Sequence, residues 1–444
     1  MTWIDRAMRL FADVRACEAA TALVLAATVF TILTAYYLLK VVREPLILTG
    51  GGAEVKSYAA AGQALLLIPV LKAHGAIASR VGRLKLIAAV LLFCASNLVL
   101  FSFLTRAGAA VGIPFYLWVG TFNVLLVATF WSFANDIYTP EQGKRLFPIL
   151  GIGSSVGALA GAWLAGRLLR ALDPPDLMLI SAGLLVACLG TFAYAHTHDR
   201  CWPKDRGKLV HPATPIRGQG GFRAVLDDRY LLLIAVMVIL VNWVTNSGEY
   251  VLDRTLLSVG AANGLSGSAL TRFIGAFKAD YFFWFDLLAV LAQLFLVSRM
   301  IKALGVGGAL LVLPAAALAG NALMMLLPVL GLIRVAKITE RSIEYSLENT
   351  ALNALYLVVS RDAKYKAKAV IDSLLVRFGD VCAAGGILVG SQLGIAPRGF
   401  AALNVVLAAT CLLVAWRVRA LHKQRLGSLE TTEPLAGAPA VQSA

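Results

Sequence analysis

The chain has 444 residues, 59% hydrophobic and 15% charged, with a formal net charge of +15 and a mean hydropathy of +0.77. A soluble domain averages roughly 45–50% apolar and about 25% charged residues, so a soluble globular protein is excluded and an all-α polytopic membrane protein is expected. The basic excess sits in short gaps between apolar runs, a distribution that argues against a nucleic-acid-binding face.

The amino-terminal stretch, residues 1–20, mixes Asp5, Arg6, Arg9, Asp13, Arg15 and Glu18 with Trp3, Ile4, Leu10 and Phe11. It reads as an amphipathic surface helix ahead of the first span, because it lacks the apolar core and small-residue cleavage site of a secretory signal. A span needs about 20 apolar residues. Runs of that length fall near 20–42, 57–78, 84–104, 112–134, 147–169 and 177–196. After a polar, Pro- and Gly-containing segment, further runs fall near 230–252, 276–298, 304–327, 329–358, 369–394 and 399–418. Twelve spans are therefore expected, in two six-helix bundles over 1–197 and 229–420, with a cytoplasmic linker over 198–228 and a disordered tail over 421–444. With the amino terminus inside, Lys and Arg concentrate in alternate loops, from Arg80, Arg83 and Lys85 through Arg361, Lys364, Lys366 and Lys368. The opposite side holds few, such as Arg106, Arg170, Arg272 and Arg398. This bias places both termini in the cytoplasm of a cell that carries the protein in its inner membrane.

The six cysteines, Cys17, Cys94, Cys188, Cys201, Cys382 and Cys411, lie mostly inside apolar runs without metal-ligand or paired spacing. They read as small buried apolar residues. The five histidines sit in or near loops with no partnered nucleophile, so an enzyme is not expected, nor a cofactor or a metal.

Span one ends in Tyr36, Tyr37, Lys40, Arg43, Glu44 and Pro45, followed by Thr49, three glycines, Glu54 and Lys56. Lys40 and Glu44 lie four apart and can pair on a helix; Arg43 lies one turn from Lys40. Lys40 and Arg43 either face a cavity and attract an anion or snorkel to the outer interface. The loop between spans two and three reads Gly75, three residues, Ser79, Arg80, then Gly82, Arg83 and Lys85. It resembles the loop signature of the major facilitator superfamily, with Ser79 in the place of an acid. The resemblance makes Gly75, Arg80, Gly82 and Arg83 candidates for a gating loop. In span five, Gly153, Gly157 and Gly161 recur every fourth residue with no preceding strand, which suits close helix packing rather than a nucleotide loop.

Three further stretches narrow the resemblance: Arg43-Glu44, Phe130-Trp131-Ser132-Phe133-Ala134-Asn135, and Lys366 to Asp372. Together they resemble the bacterial and plastid ATP/ADP translocases, which have a major-facilitator-like fold and exchange nucleotides across membranes. The resemblance implies a central anion site, a phosphate-contact role for Arg43, and family basic positions at Lys366 and Lys368. The chain departs from the family at Asp380, where a Lys is typical, and at Asn353, where an acid is common, so it reads as a divergent relative.

In the second half, Asn242, Asn246, Glu249 and Asp253 share a face of span seven, and span eight carries Lys278, Asp280, Tyr281 and the deeper Asp286. Span ten is the most charged apolar run: Arg334, Lys337, Arg341, Glu344 and Glu348 follow three-and-four spacing, with Ile338, Ile343 and Leu347 opposite. A charge at mid-bilayer costs roughly 2.5–3.5 kcal/mol on insertion scales, so such a stripe implies a wet cavity or facing counter-charges. A structural ion-pair ladder is the alternative. Arg377 in span eleven must meet a carboxylate or a substrate anion.

The expected function is a secondary transporter, working by alternating access and moving a nucleotide or other phosphorylated or anionic metabolite. The expected substrate-binding set is Tyr36, Lys40, Arg43, Asn135, Asn246, Glu249, Asp286, Arg334, Lys337, Arg341, Glu344, Tyr345 and Arg377. In this set the cations hold the anion, tyrosines stack on a base, and Glu249, Asp286 and Glu344, with Glu340, balance charge or carry a proton. The alternatives are a proton-coupled carrier for another small solute, or a scaffold or sensor of the same fold that transports nothing. The expected partners are the anionic solute and the lipid bilayer, with no nucleic acid, and the expected state is a monomer.

Overall fold

The computed structural model describes residues 18–78, 81–198, 221–359, 367–368 and 370–432. The amphipathic amino-terminal stretch up to residue 17, Arg80, most of the linker, Lys366 and the tail beyond residue 432 lie outside the described residues. Within them every regular element is a helix, and no strand is present. A backbone in lipid must satisfy its own N–H and C=O groups, and an uninterrupted helix does so.

Nine helical stretches among the described residues are long and apolar enough to cross a membrane, so the protein is a multi-pass membrane protein. The first, α1 (Ala19–Ala78), contains both of the first two apolar runs. It continues through Pro45 and breaks at Gly52, whose φ of 78° lies in the left-handed region that glycine adopts without penalty. Next come α2 (Arg83–Arg106), α3 (Gly112–Ile137), α4 (Pro140–Leu168) and α5 (Pro174–His198). The start of α4 is fixed by a reciprocal cap: Gln142 N donates to Thr139 Oγ1 at 3.1 Å, and Thr139 N donates to Gln142 Oε1 at 2.9 Å.

A short α6 (Gly221–Asp227) leads into α7 (Arg229–Ala262) and α8 (Gly267–Leu291). Then a π-helical turn, Ala292–Leu296, joins α9 (Val297–Ala309), and α10 (Val312–Leu326) follows. The charged tenth run is not one regular helix. It divides into α11 (Leu330–Ile343), a π turn (Glu344–Glu348), α12 (Asn349–Leu355) and a 3₁₀ turn (Tyr356–Val358). A third π turn, Ile371–Leu375, opens α13 (Val376–Gln392), and α14 (Pro397–Thr432) ends the described chain. Runs 304–327 and 329–358 are absent from the nine membrane-length stretches: α10 is short, and the other is interrupted and charged.

Contacts divide the chain into two compact units: Met1–Ala213 with Asp253–Leu287, and Thr214–Leu252 with Leu288–Ala444. In the first, α1 packs along α3, α4 and α5, and α2 packs on α5. The α1–α4 seam is close because α4 presents glycines. A Cβ at Gly153, Gly157 or Gly161 would fall on the carbonyls of Ala26, Phe30 and Thr34 respectively. Packing is thus what these glycines provide. In the second unit α10 packs between α14 and α11, around a core that includes Tyr230, Ile234, Leu313, Leu355 and Val418. Cys94, Cys188 and Cys411 are buried free thiols and Cys382 is partly buried, as expected of small apolar residues. Cys17 and Cys201 lie outside the described residues.

Candidate functional site

Each unit holds its own cluster of ionic side chains. In the first, the end of span one meets residues 253–286. Glu44, 1% exposed, accepts from Lys56 Nζ at 2.5 Å and lies 3.3 Å from Arg43 Nε and 3.7 Å from Lys278 Nζ. Asp253, also 1% exposed, accepts from Lys56 at 2.6 Å and forms an ion pair with Lys278 at 2.5 Å. Lys278 itself is fully buried. Two cations and two carboxylates thus alternate around one point, which is how charges persist away from water.

Arg43 continues this cluster towards an aromatic wall, its guanidinium 4.6 Å from the centre of the Tyr116 ring. One turn earlier, the Lys40 ammonium lies 4.4 Å from the Tyr37 ring centre and 4.4 Å from that of Phe282. Tyr37 donates its hydroxyl proton to Asp286 Oδ1 at 3.1 Å, and Tyr36 sits edge-on to Tyr37 at 5.4 Å between centroids. Tyr36, Lys40, Arg43 and Asp286 therefore belong to one neighbourhood. Lys40, Arg43, Lys56 and Lys278 oppose Glu44, Asp253 and Asp286, an excess of one positive charge over this set.

The second unit carries the other cluster. Lys337 is fully buried; its ammonium donates to Glu340 Oε1 at 2.8 Å and to the Thr245 carbonyl at 3.1 Å. Arg341 bridges Glu249 at 3.3 Å and Glu344 at 3.0 Å. Arg377 pairs with Asp380 at 3.2 Å, and Asn246 donates to the same carboxylate at 2.8 Å. So Arg377 meets a carboxylate, supplied by the very residue that departs from the translocase pattern. Arg334 is half-buried, while Tyr345 and Asn135 are exposed. Of the gating-loop set, Gly75 and Gly82 are exposed, Arg83 begins α2, and Arg80 lies outside the described residues.

A cavity of about 420 Å³ opens beside the second cluster, lined by Asn242, Glu344, Tyr345, Glu348, Asn349, Asn353, Tyr356 and Asp372 among others. Lys56, Asp253 and Lys278 carry much of the first cluster, although none of them stood in the expected substrate-binding set. Lys56 lies 197 positions from Asp253 and meets it only through the fold, although each of the three stood out as a charge at the edge of an apolar run.

The helices define an all-α multi-pass membrane protein, and its fold is shared with solved transporter structures. The nucleoside transporter NupG superposes with a TM-score of 0.64 at 13% identity, covering 91% of this chain and 99% of that one. A bacterial homologue of the iron transporter ferroportin superposes with a TM-score of 0.65 at 11% identity, covering 90% of this chain and 98% of that one. In sequence, the chain is a divergent relative of proteins named ADP,ATP carrier protein 1. It is 25% identical over 342 residues to that of Chlamydia muridarum, a match covering 68% of this chain and 63% of the relative. It is 26% identical over 347 residues to that of Chlamydia pneumoniae, covering 68% of this chain and 65% of the relative. The chain thus spans less than two thirds of the length of these relatives. No family model matches it.

Proposed function

We propose that this protein is a secondary carrier that moves a nucleotide or another phosphorylated anion across the membrane by alternating access. The observation that carries the reading is the Lys40–Arg43 neighbourhood. It holds an excess of cationic groups beside Tyr36, Tyr37 and Tyr116, within a chain similar to ADP,ATP carriers. A guanidinium offers two parallel N–H donors to phosphate oxygens, and tyrosine faces offer a surface to a base. In this reading Lys40 and Arg43 hold the phosphates. Glu249, Lys337, Arg341, Glu344 and Arg377, with Asn135, Asn246, Arg334 and Tyr345, serve the solute or the conformational change. Six-helix halves over 1–197 and 229–420, a monomeric state, cytoplasmic termini and residence in the inner membrane belong to the same proposal.

A substrate stabilises the state it binds by RT ln(1 + [L]/Kd), about 2.7 kcal/mol at a ligand concentration a hundred times Kd. Purified protein is therefore expected to melt at a higher temperature with ATP or ADP, and the rise is expected to vanish in Arg43→Gln. An equal rise in both proteins would remove Arg43 from the site, and no rise with any phosphorylated compound would reject the substrate class.

A further inference from the structure

The 420 Å³ cavity of the second unit has the wrong charge for a phosphate. Glu344, Glu348 and Asp372 line it, with amides and the tyrosines Tyr345 and Tyr356, and no Lys or Arg is among its described lining residues. Glu348 is 2% exposed, and neither of its carboxylate oxygens has a hydrogen-bond partner; nor has the buried Tyr356 hydroxyl on the same wall. A buried carboxylate with neither donor nor cation is costly, and a proton relieves that cost. The backbone points to the same place: Glu344, Tyr345 and Glu348 all belong to one π turn and Asp372 to another. Such turns occur frequently at functional sites.

We propose that Glu348 is the proton-binding group of the carrier, exchanging its proton with solvent through this cavity and coupling solute movement to a proton gradient. Among the described residues, no cation is paired with Glu348. Its own turn supplies Glu344, which Arg341 holds at 3.0 Å, and the opposing π turn supplies Asp372. Asn242 of α7 and Cys411 of α14 are neutral, and Lys368 lies over the Tyr356 ring at 5.6 Å. The turn Ala292–Leu296 and helices α9 and α10 pack on the same turn; their only charged residues, Arg299 and Lys302 of α9, are exposed.

The coupling half of this proposal rests on the carrier reading; the proton site does not, and two measurements on the full chain separate them. Infrared spectra of the protein in lipid nanodiscs, titrated with pH, are expected to show the carbonyl band of a protonated carboxyl. That band is expected to be lost in Glu348→Gln and retained in Glu344→Gln. Its persistence in Glu348→Gln, or its absence from the unmodified protein, overturns the proton site whatever the transport result. In proteoliposomes, accumulation of labelled ATP driven by an imposed proton gradient is expected to be lost in Glu348→Gln, while ATP/ADP exchange without a gradient persists. Accumulation driven by sodium instead of protons overturns the proton as the coupling ion. An intact infrared band without flux of any solute rejects the carrier reading and leaves the proton site standing.

Discussion

Single residues in this protein differ sharply in what they hold. Lys278 has no exposed surface and stands between Asp253 and Glu44, whereas Arg106 pairs with Asp176 at 2.6 Å in the open, with half its side chain exposed. Removing one partner of a buried pair leaves an uncompensated charge, at about 3–5 kcal/mol, while exposed pairs contribute about 0–1 kcal/mol. Lys278→Met is therefore expected to lower unfolding stability by about 3 kcal/mol, with Lys56 still neutralising part of the pair. Arg106→Ala is expected to be near neutral. Equal melting temperatures for the two variants would show that the Glu44–Asp253 cluster is not shut away from solvent. The sequence made Lys40, Arg43 and Asp286 legible, because each is a charge inside or at the edge of an apolar run. It could not show that Lys40 faces the Phe282 ring of α8 and Arg43 the Tyr116 ring of α3, or that Glu44 pairs with Lys56, twelve residues on and past the Gly52 break of the same helix.

At the scale of elements, the apolar runs were readable because lipid admits few solutions: each run lies largely on helix, and the α4 glycines meet the α1 backbone as their spacing implies. The first two runs proved continuous in one helix, kinked at the one position of the triple glycine that takes a positive φ. Gly157→Val is expected to force α4 away from α1, since the added atoms would fall on the Phe30 carbonyl. Overpacking of this kind costs typically about 1–3 kcal/mol, read as a lower melting temperature of purified protein; an unchanged value would show that the seam is loose. The π turns were not readable. Three-and-four spacing placed Arg334 to Glu348 on a single stripe, but the Glu344–Glu348 turn adds residues to one winding and separates the roles along it. Lys337 turns to Glu340 and the Thr245 carbonyl, Arg341 to Glu249 and Glu344, and Glu348 to the cavity. The stripe contains ion pairs and also borders a cavity.

For the whole molecule, solved structures of the same fold cover nine tenths of the chain, and similar sequences are named ADP,ATP carrier protein 1. The substitutions that set this chain apart have structural roles. Asp380 neutralises Arg377, and Asn353 accepts from Lys368 at 2.6 Å, so neither leaves a charge stranded. In the proposed reading those pairings occupy two cations, and Lys40 and Arg43 are the groups to test. The most direct measurement is counterflow in proteoliposomes: labelled external ATP against internal unlabelled ADP, with no ion gradient. The account predicts accumulation of label in vesicles carrying the unmodified protein and its loss in the paired Lys40→Gln and Arg43→Gln variant, inserted and folded to the same extent. Full counterflow by that variant, or none by the unmodified protein with any phosphorylated compound, would contradict it.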